Sequence, residues 1–372
     1  MKNLLLSAGL CLSGILCLSQ TTYVPDDGFE GALIILGYDD VYDDYVLTAN
    51  IAHITDLELS WYAIKDLTGI EDFSDLQVLK IEHIGDVFSP FSLDLSSNQA
   101  LTQLYANSSW IQSVNLTQNT NLETLEIASN LISSLDLSHN SALEYVRADN
   151  NTYLTSVNIN GAINLKSFYA NGDALTSLDI SNNPLLQSLD ITHNQIVSLE
   201  PSNNPALQTL LVGNNLISEL DLSDNHELIA LSCYQNNLTS LNVKNGNNVN
   251  MPGSSFYIQD NPDLFCVEVD DTDWSTQHWT NKDLWTNYSE NCNMSTSDQE
   301  FLQLRIYPNP VKSVLNFSER CTQVEIYSLE GKKVMQARDI EKINTELLAS
   351  GIYIVKAQSV NGKTTTTKFI KN

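Results

Sequence analysis

Between Leu101 and Val243, apolar residues recur on a beat of about twenty-one. Leu104, Leu125, Val146, Phe168, Leu189, Leu210 and Leu231 are separated by 21, 21, 22, 21, 21 and 21 residues. A second series, Val114, Leu135, Val157, Leu178, Leu199, Leu220 and Leu241, keeps the same beat about ten residues later. A fixed period of this size marks a solenoid, in which each repeat buries its apolar edge against the next. In Leu122-Glu123-Thr124-Leu125-Glu126-Ile127, alternation sends Leu125 and Ile127 inward and Glu126 outward, which predicts a short strand. Twenty-one residues leave little room for a helix on the return. The Ser-Leu-Asp-Leu-Ser runs therefore predict short extended segments, coils that are mostly β, and mild curvature. Ile54–Leu59 and Leu76–Ile81 are the first coils, Gly85 to Ser92 stretches the next interval to 25 (Leu79 to Leu104), and Phe256–Asn261 closes a run of about ten.

Asn130, Asn151, Asn194, Asn215, Asn236 and Asn261 each fall at the turn out of the inner strand. A short amide there can bond backbone groups left over by the turn and stack as an asparagine ladder. Ser109 and Asp173 are the departures. The recurring template LxxLxLxxNxLxxLDLSxN, carried by Leu122–Asn130 and Ile132–Ser138, resembles the leucine-rich repeat family. The likeness is to the short-repeat form common in Bacteroidetes surface proteins and related to the internalins. It implies a β-rich leucine-rich-repeat solenoid.

A solenoid leaves its end coils bare. Asp26-Asp27 before Phe29–Leu36, with Gly37 after it, predicts a short amphipathic helix over the N-terminal edge. Residues 20–50 are thus expected to be an N-terminal cap and 51–265 the solenoid. Residues 266–293 break the period with Trp274, Trp279 and Trp285, and read as a C-terminal cap. Ahead of all this, Lys2, the apolar run Leu4–Leu18 and small residues before a cut after Ser19 read as a signal peptide over 1–19. That run falls short of the roughly 20 residues needed to span a bilayer, and no later stretch qualifies as a transmembrane segment.

Export sets the cysteine chemistry. Cys233 takes an inward Leu position and reads as a core residue; Cys266 and Cys292 flank the solenoid's end and are expected to be bonded. Such a bridge would stabilise by roughly 3 kcal/mol in the chain-entropy model. Cys321 has no assignment.

After a polar linker, 294–304, the pattern turns to alternating strands with turns at Glu330-Gly331 and Asn361-Gly362. This predicts six or seven short strands in a small β-sandwich over 305–372. Tyr307-Pro308-Asn309-Pro310, Val324–Lys332 with Gly331, Leu348–Tyr353 with Gly351 and Tyr353, and Lys368–Lys371 resemble the type A C-terminal sorting domain of the type IX secretion system. The resemblance implies passage through the type IX secretion machinery, hence a secreted or surface-attached product.

Charge narrows the partners. Of 18 Lys and Arg and 45 Asp and Glu, 11 and 8 lie beyond Ser295. With Lys2 set aside in the leader, residues 21–294 hold 6 basic against 37 acidic side chains. This field repels nucleic-acid backbones and anionic membranes. It reads as solubility, or as attraction for a cationic or Ca2+-bridged partner. No metal-ligand spacing, HExxH, GxSxG or phosphate loop appears, so no catalytic residue, cofactor or metal is expected. Asp94, Asp136, Asp179 and Asp221 form a column on the return side, read as turn-forming or as a row of Ca2+ sites.

Outward positions of the inner strands remain. Tyr105, Glu126, Tyr145, Arg147, Tyr169, Asp190, Tyr234 and Tyr257 are the candidate ligand-binding residues of the concave face. Tyr145, Arg147 and Tyr169 fall on neighbouring coils near Asp149, and Tyr and Arg dominate binding hot spots. Cross-strand aromatics that merely steady the sheet are the alternative. Two functions follow: adhesin-like recognition of an unknown protein, or capture of glycans with the tyrosines as stacking platforms. The lack of exposed Trp on the strands weighs against the second.

Overall fold

The computed structural model describes residues 20–292, 306–329, 331–360 and 364–372. The expected leader (1–19) and linker (294–304) lie outside the described residues, as do Glu330 and Asn361-Gly362 of the two expected turns. The chain divides near Glu290 into two compact units.

In the first unit ten short strands pair in parallel, in chain order, each one coil ahead of the last. They are Asp56–Glu58, Val78–Lys80, Gln103–Tyr105, Thr124–Glu126, Tyr145–Arg147, Ser167–Tyr169, Ser188–Asp190, Thr209–Leu211, Ala230–Ser232 and Phe256–Tyr257, here coils one to ten. The register aligns Leu104, Leu125, Val146, Phe168, Leu189, Leu210 and Leu231 in one buried row. Most of the second apolar series is buried opposite, on return strands such as Ser134–Asp136 and Glu219–Asp221, with Val114 and Val157 half-buried. At coils six and seven the return carries no strand, so the extended segments are intermittent.

Each coil leaves its strand through one left-handed residue: Trp61, His83, Ser108, Ser129, Asn150, Gly172, His193, Asn214, Gln235 and Asp260, with φ from 51° to 72°. In most coils a ladder residue follows. Asn215 Nδ2 donates to Ile191 O of the preceding coil and Val212 O of its own, while Oδ1 accepts from Ile196 N. Asn130, Asn151, Asn194, Asn236 and Asn261 likewise give Nδ2 to both coils. Ser109 substitutes a hydroxyl that donates to Ile81 O. A second amide column runs along the return side through Asn98, Asn119, Asn140, Asn183, Asn204 and Asn225, each donating Nδ2 to two carbonyls of the preceding coil. Where Ala162 interrupts this column, Gly161 lets the chain close in. A Cβ there would lie 1.8 Å from Ser138 O.

Helix α1, Asp27–Ile35, covers the first coil. Asp26 accepts from Phe29 N at 2.8 Å, and Gly37, at φ 81°, ends the helix with Tyr38 N bonded to Leu33 O. Its Phe29 packs on Phe73. At the other end Cys266–Glu268 and Asn287–Ser289 extend the return sheet in parallel beyond Ser240–Asn242. Cys266 and Cys292 are disulfide-bonded. Trp279 stacks on Phe256 of coil ten at 3.9 Å and donates Nε1–H to Met251 O, so the aromatics are packing. Cys233 is a buried thiol whose pKa burial pushes up to about 12.

The second unit is antiparallel. Its described residues form five strands, Ile306–Tyr307, Val314–Ser328, Lys333–Asn344, Gly351–Ser359 and Thr364–Lys371, rather than six or seven short ones. The reason is length: Val314–Ser328 pairs first with Ile306–Tyr307 and, beyond a register shift, with Gly351–Ser359. Cys321 is buried in this unit's core beside Val324 and Phe369.

Candidate functional site

The outward row of the ten-stranded sheet is built by pairing. Tyr105 lies against Glu126, Glu126 against Arg147, Arg147 against Tyr169, and Tyr169 against Asp190. Strand spacing sets about 4.8 Å per step, so residues 21 or 22 apart in sequence become neighbours. Five of the eight sequence-predicted residues, Tyr105, Glu126, Tyr145, Arg147 and Tyr169, therefore form one contiguous patch on coils three to six, with Asp190 at its edge. Tyr234 and Tyr257 stand apart, beyond Leu211 and Ser232. Tyr234 lies flat over Gly213, where a Cβ would come within 2.3 Å of its ring.

At the centre of the patch the rings of Tyr145 and Tyr169 sit 5.7 Å apart, tilted by 47°, within the range of a favourable aromatic pair. Arg147 Nε donates to Asp149 Oδ2 at 2.8 Å, and its Nη1 lies 3.9 Å from Glu126 Oε2. The Asp149 hydrogen bond raises the Arg147 pKa further. Asp149 Oδ1 accepts Nδ2–H from Asn171 at 2.8 Å, and Glu126 Oε2 accepts Nδ2–H from Asn107 at 2.8 Å. Asn107 also donates to Glu82 Oε1, carrying the chain of contacts to coil two. The guanidinium edge is thus fixed in direction, and desolvation raises the Tyr145 pKa, keeping its phenol neutral. Tyr105 OH donates to Gln103, and Asp190 accepts from Thr192 within its own coil.

Sequence reasoning found the aromatic and guanidinium groups. It missed the amides and carboxylates that hold them, Glu82, Asn107 and Asn171, all at outward positions recoverable from the period. Asp149 was near in sequence, but its burial under Arg147 was not apparent. Asp173, at a ladder rung, accepts from Asn151 N through Oδ1 while its buried Oδ2 has no partner. Burial, with a smaller push from Asp149, raises its pKa to about 8.

The return-side aspartates are turn formers. Asp94, Asp136, Asp179 and Asp221 each accept the N–H of the residue two ahead at 3.0 Å, and Asn115 and Asn158 bridge to Asp94 and Asp136. These bonds lower the pKa of Asp94, Asp136 and Asp179. A closer carboxylate group, Asp27, Glu30 and Asp44, has ligand atoms within 4.8 Å of one another, with Glu30 Oε1 already accepting from Asp43 N.

In the second unit the sorting motifs meet. Asn309, between Pro308 and Pro310, accepts Ile370 N on Oδ1 and donates to Lys368 O, so the first motif is bonded to the last. Gly331 takes φ 79° in its turn, Gly351 begins a strand, and Tyr353 stacks on Phe369 and donates to Ala349 O.

Parallel coils of about twenty-one residues, an apolar row and an asparagine ladder define a leucine-rich repeat solenoid. Residues 305–372 match the family described as the secretion system C-terminal sorting domain. Among solved structures, the chain is similar to the functional domain of InlJ from Listeria monocytogenes, whose description adds that it includes a cysteine ladder. That likeness has 17% identity over 95% of this chain and 99% of that one, with a TM-score of 0.37. It is similar also to an internalin C2 of Listeria monocytogenes (17% identity, 73% and 99% covered, TM-score 0.41) and to an internalin inlF of that organism (20%, 73% and 97%, 0.27). No curated protein matches the sequence. Among the described residues no helix is long and apolar enough to cross a membrane.

Proposed function

We propose that this is a non-enzymatic recognition protein that binds another protein through the outward face of coils three to six. The supporting observation is the Tyr145–Tyr169 pair beside an Arg147 held on Asp149 and Glu126. Rigid aromatics and a pre-aimed guanidinium lose little freedom on binding, which is what hot spots need. The acidic solenoid favours a partner with a basic or polar rim. In this reading 20–50 and 266–293 are caps on the solenoid 51–265, 1–19 is a leader, and 305–372 directs type IX export to the cell surface or the medium.

Replacing Tyr145, Arg147 and Tyr169 together with Ala in the full chain should abolish partner capture from neighbouring-cell surfaces while the chain stays folded with a cooperative transition, its melting temperature lower by a few degrees at most. Unchanged capture would sink the assignment. Deleting 305–372 should leave the product in the periplasm, and normal export of the deleted chain would refute the sorting role.

A further inference from the structure

We propose that the Trp61–His83 stack at the first coil is a platform for one face of a neutral or amino sugar ring, a second binding site independent of the Tyr145–Tyr169 patch.

The fold requires a left-handed residue at this point of every coil, and nine of the ten coils supply Ser, Asn, Gly, Gln, Asp or His. Short polar side chains and glycine tolerate that conformation, whereas a bulky aromatic costs of order 1–2 kcal/mol there. Coil one places a Trp at this point, at φ 69°. The turn did not need an indole, and neither did the core, since Trp61 is 76% exposed. A large apolar ring left in water at a strained position is accounted for by something that covers it.

The geometry says what. The imidazole of His83 lies parallel to the indole, 3.9 Å away and 18° from coplanar, covering one face. With three quarters of the side chain still exposed, the opposite face is open. The backbone beneath is fixed by Trp61 N donating to Glu82 O at 2.9 Å, and the stack on His83 orients the ring. The residues directly before the two rings, Ser60 and Glu82, carry polar groups already set in place. Glu58 Oε1 accepts Ser60 N, Ser60 Oγ accepts Glu82 N, and Glu82 Oε1 accepts Asn107 Nδ2–H. A flat π face for axial C–H groups, with carboxylates and a hydroxyl on the neighbouring residues available to a sugar's hydroxyls, is the complement of a pyranose: an aromatic floor with few, oriented polar groups. Charge restricts the class. Lys80 is tied to Asp56 and Glu58, and Lys65 to Asp86 at 2.8 Å, so these coils turn carboxylates outward. Uronic and sulfated sugars are repelled, while neutral and amino sugars are not.

The test is titration of the full chain with cellohexaose, chitohexaose and an alginate hexasaccharide, followed by calorimetry and by the indole N–H resonance of Trp61. A neutral or amino hexasaccharide should shift that resonance saturably, and the alginate should not. Trp61→Asn should weaken binding at least about ten-fold, roughly 1.4 kcal/mol. Trp61→Phe should keep most of it. Asn already holds this position in coils five and eight as Asn150 and Asn214, so the Asn variant should melt with the parent. Tyr145→Ala and Tyr169→Ala should leave sugar binding unchanged, which separates this site from the protein-binding patch. Sugars that leave Trp61 unmoved, equal binding by Trp61→Asn, or binding of alginate alone would overturn the proposal. So would loss of a protein partner, rather than a sugar, on replacing Trp61.

Discussion

On coils three to six the outward row reads Tyr105, Glu126, Arg147 and Tyr169; on coils seven to nine it reads Asp190, Leu211 and Ser232. The first half is tied from coil to coil by side chains: Asn107 to Glu126, Arg147 toward Glu126, Asn171 to Asp149. In the second half Asp190 bonds within its own coil, a single Asn214–His193 side-chain bond at 2.7 Å links coils seven and eight, and Thr209, Gly213 and Ala230 stand alongside. Beneath both lie the same buried row, the same left-handed turn and the same ladder. The solenoid therefore holds together without an outward network, and the network of coils three to six is an addition that the fold does not require.

The shared scaffold is open to the largest perturbation. Leu189→Ala, in the plainer half, should cost about 2–5 kcal/mol as a core truncation, read by denaturant unfolding, because its side chain is wholly buried. A loss below half a kcal/mol would mean that the row of coil seven is not core.

The ladder rung of coil six gives the next effect, with a sign set by protonation. Asp173 keeps its proton in the folded chain up to about pH 8 and loses it in the unfolded chain near the ordinary value of about 3.9. Across that window the folded state binds the extra proton, so stability falls as pH rises toward 8. Asp173→Asn restores the ladder amide and removes the titration. The variant should be more stable by about 1–3 kcal/mol at pH 9, allowing for partial exposure, and the gain should shrink toward pH 4. A gain independent of pH would contradict the buried-acid reading.

Asp149→Ala should cost less in stability, about 1 kcal/mol, yet weaken partner capture several-fold by letting Arg147 swing free. If capture is unchanged while stability drops, the network is structural bracing. The smallest effect belongs to the return-side aspartates. Their pKa values are lowered, so their contribution is present above about pH 4 and fades as pH falls below it. A three-fold replacement of Asp94, Asp136 and Asp179 by Asn should therefore flatten acid unfolding. An unchanged acid limb would show those turns to be neutral.

How much of this was legible beforehand follows from what period reveals. A beat of twenty-one fixes which residues share a column, so the inward rows, the ladder asparagines and the adjacency of Tyr145, Arg147 and Tyr169 could be read directly. It does not fix rotamers. That Asp149 tucks under Arg147, or that Asn107 reaches both Glu82 and Glu126, depends on side-chain directions. Trp61 was within reach of the same arithmetic, one place before the ladder turn, but its stack on His83 was not. In the sorting unit, alternation counted strands where long ones bend through a register shift, because a strand that changes partner keeps its period of two.

The central claim is that recognition belongs to coils three to six and not to the plainer coils beside them. A photo-crosslinking residue placed singly at Tyr169 or at Thr209 in the full chain tests this on one scaffold. Discrete partner adducts from position 169, lost when Arg147 is replaced by Ala, with none from position 209, are the predicted result. Equal adducts from both positions, or adducts from 209 alone, would contradict it.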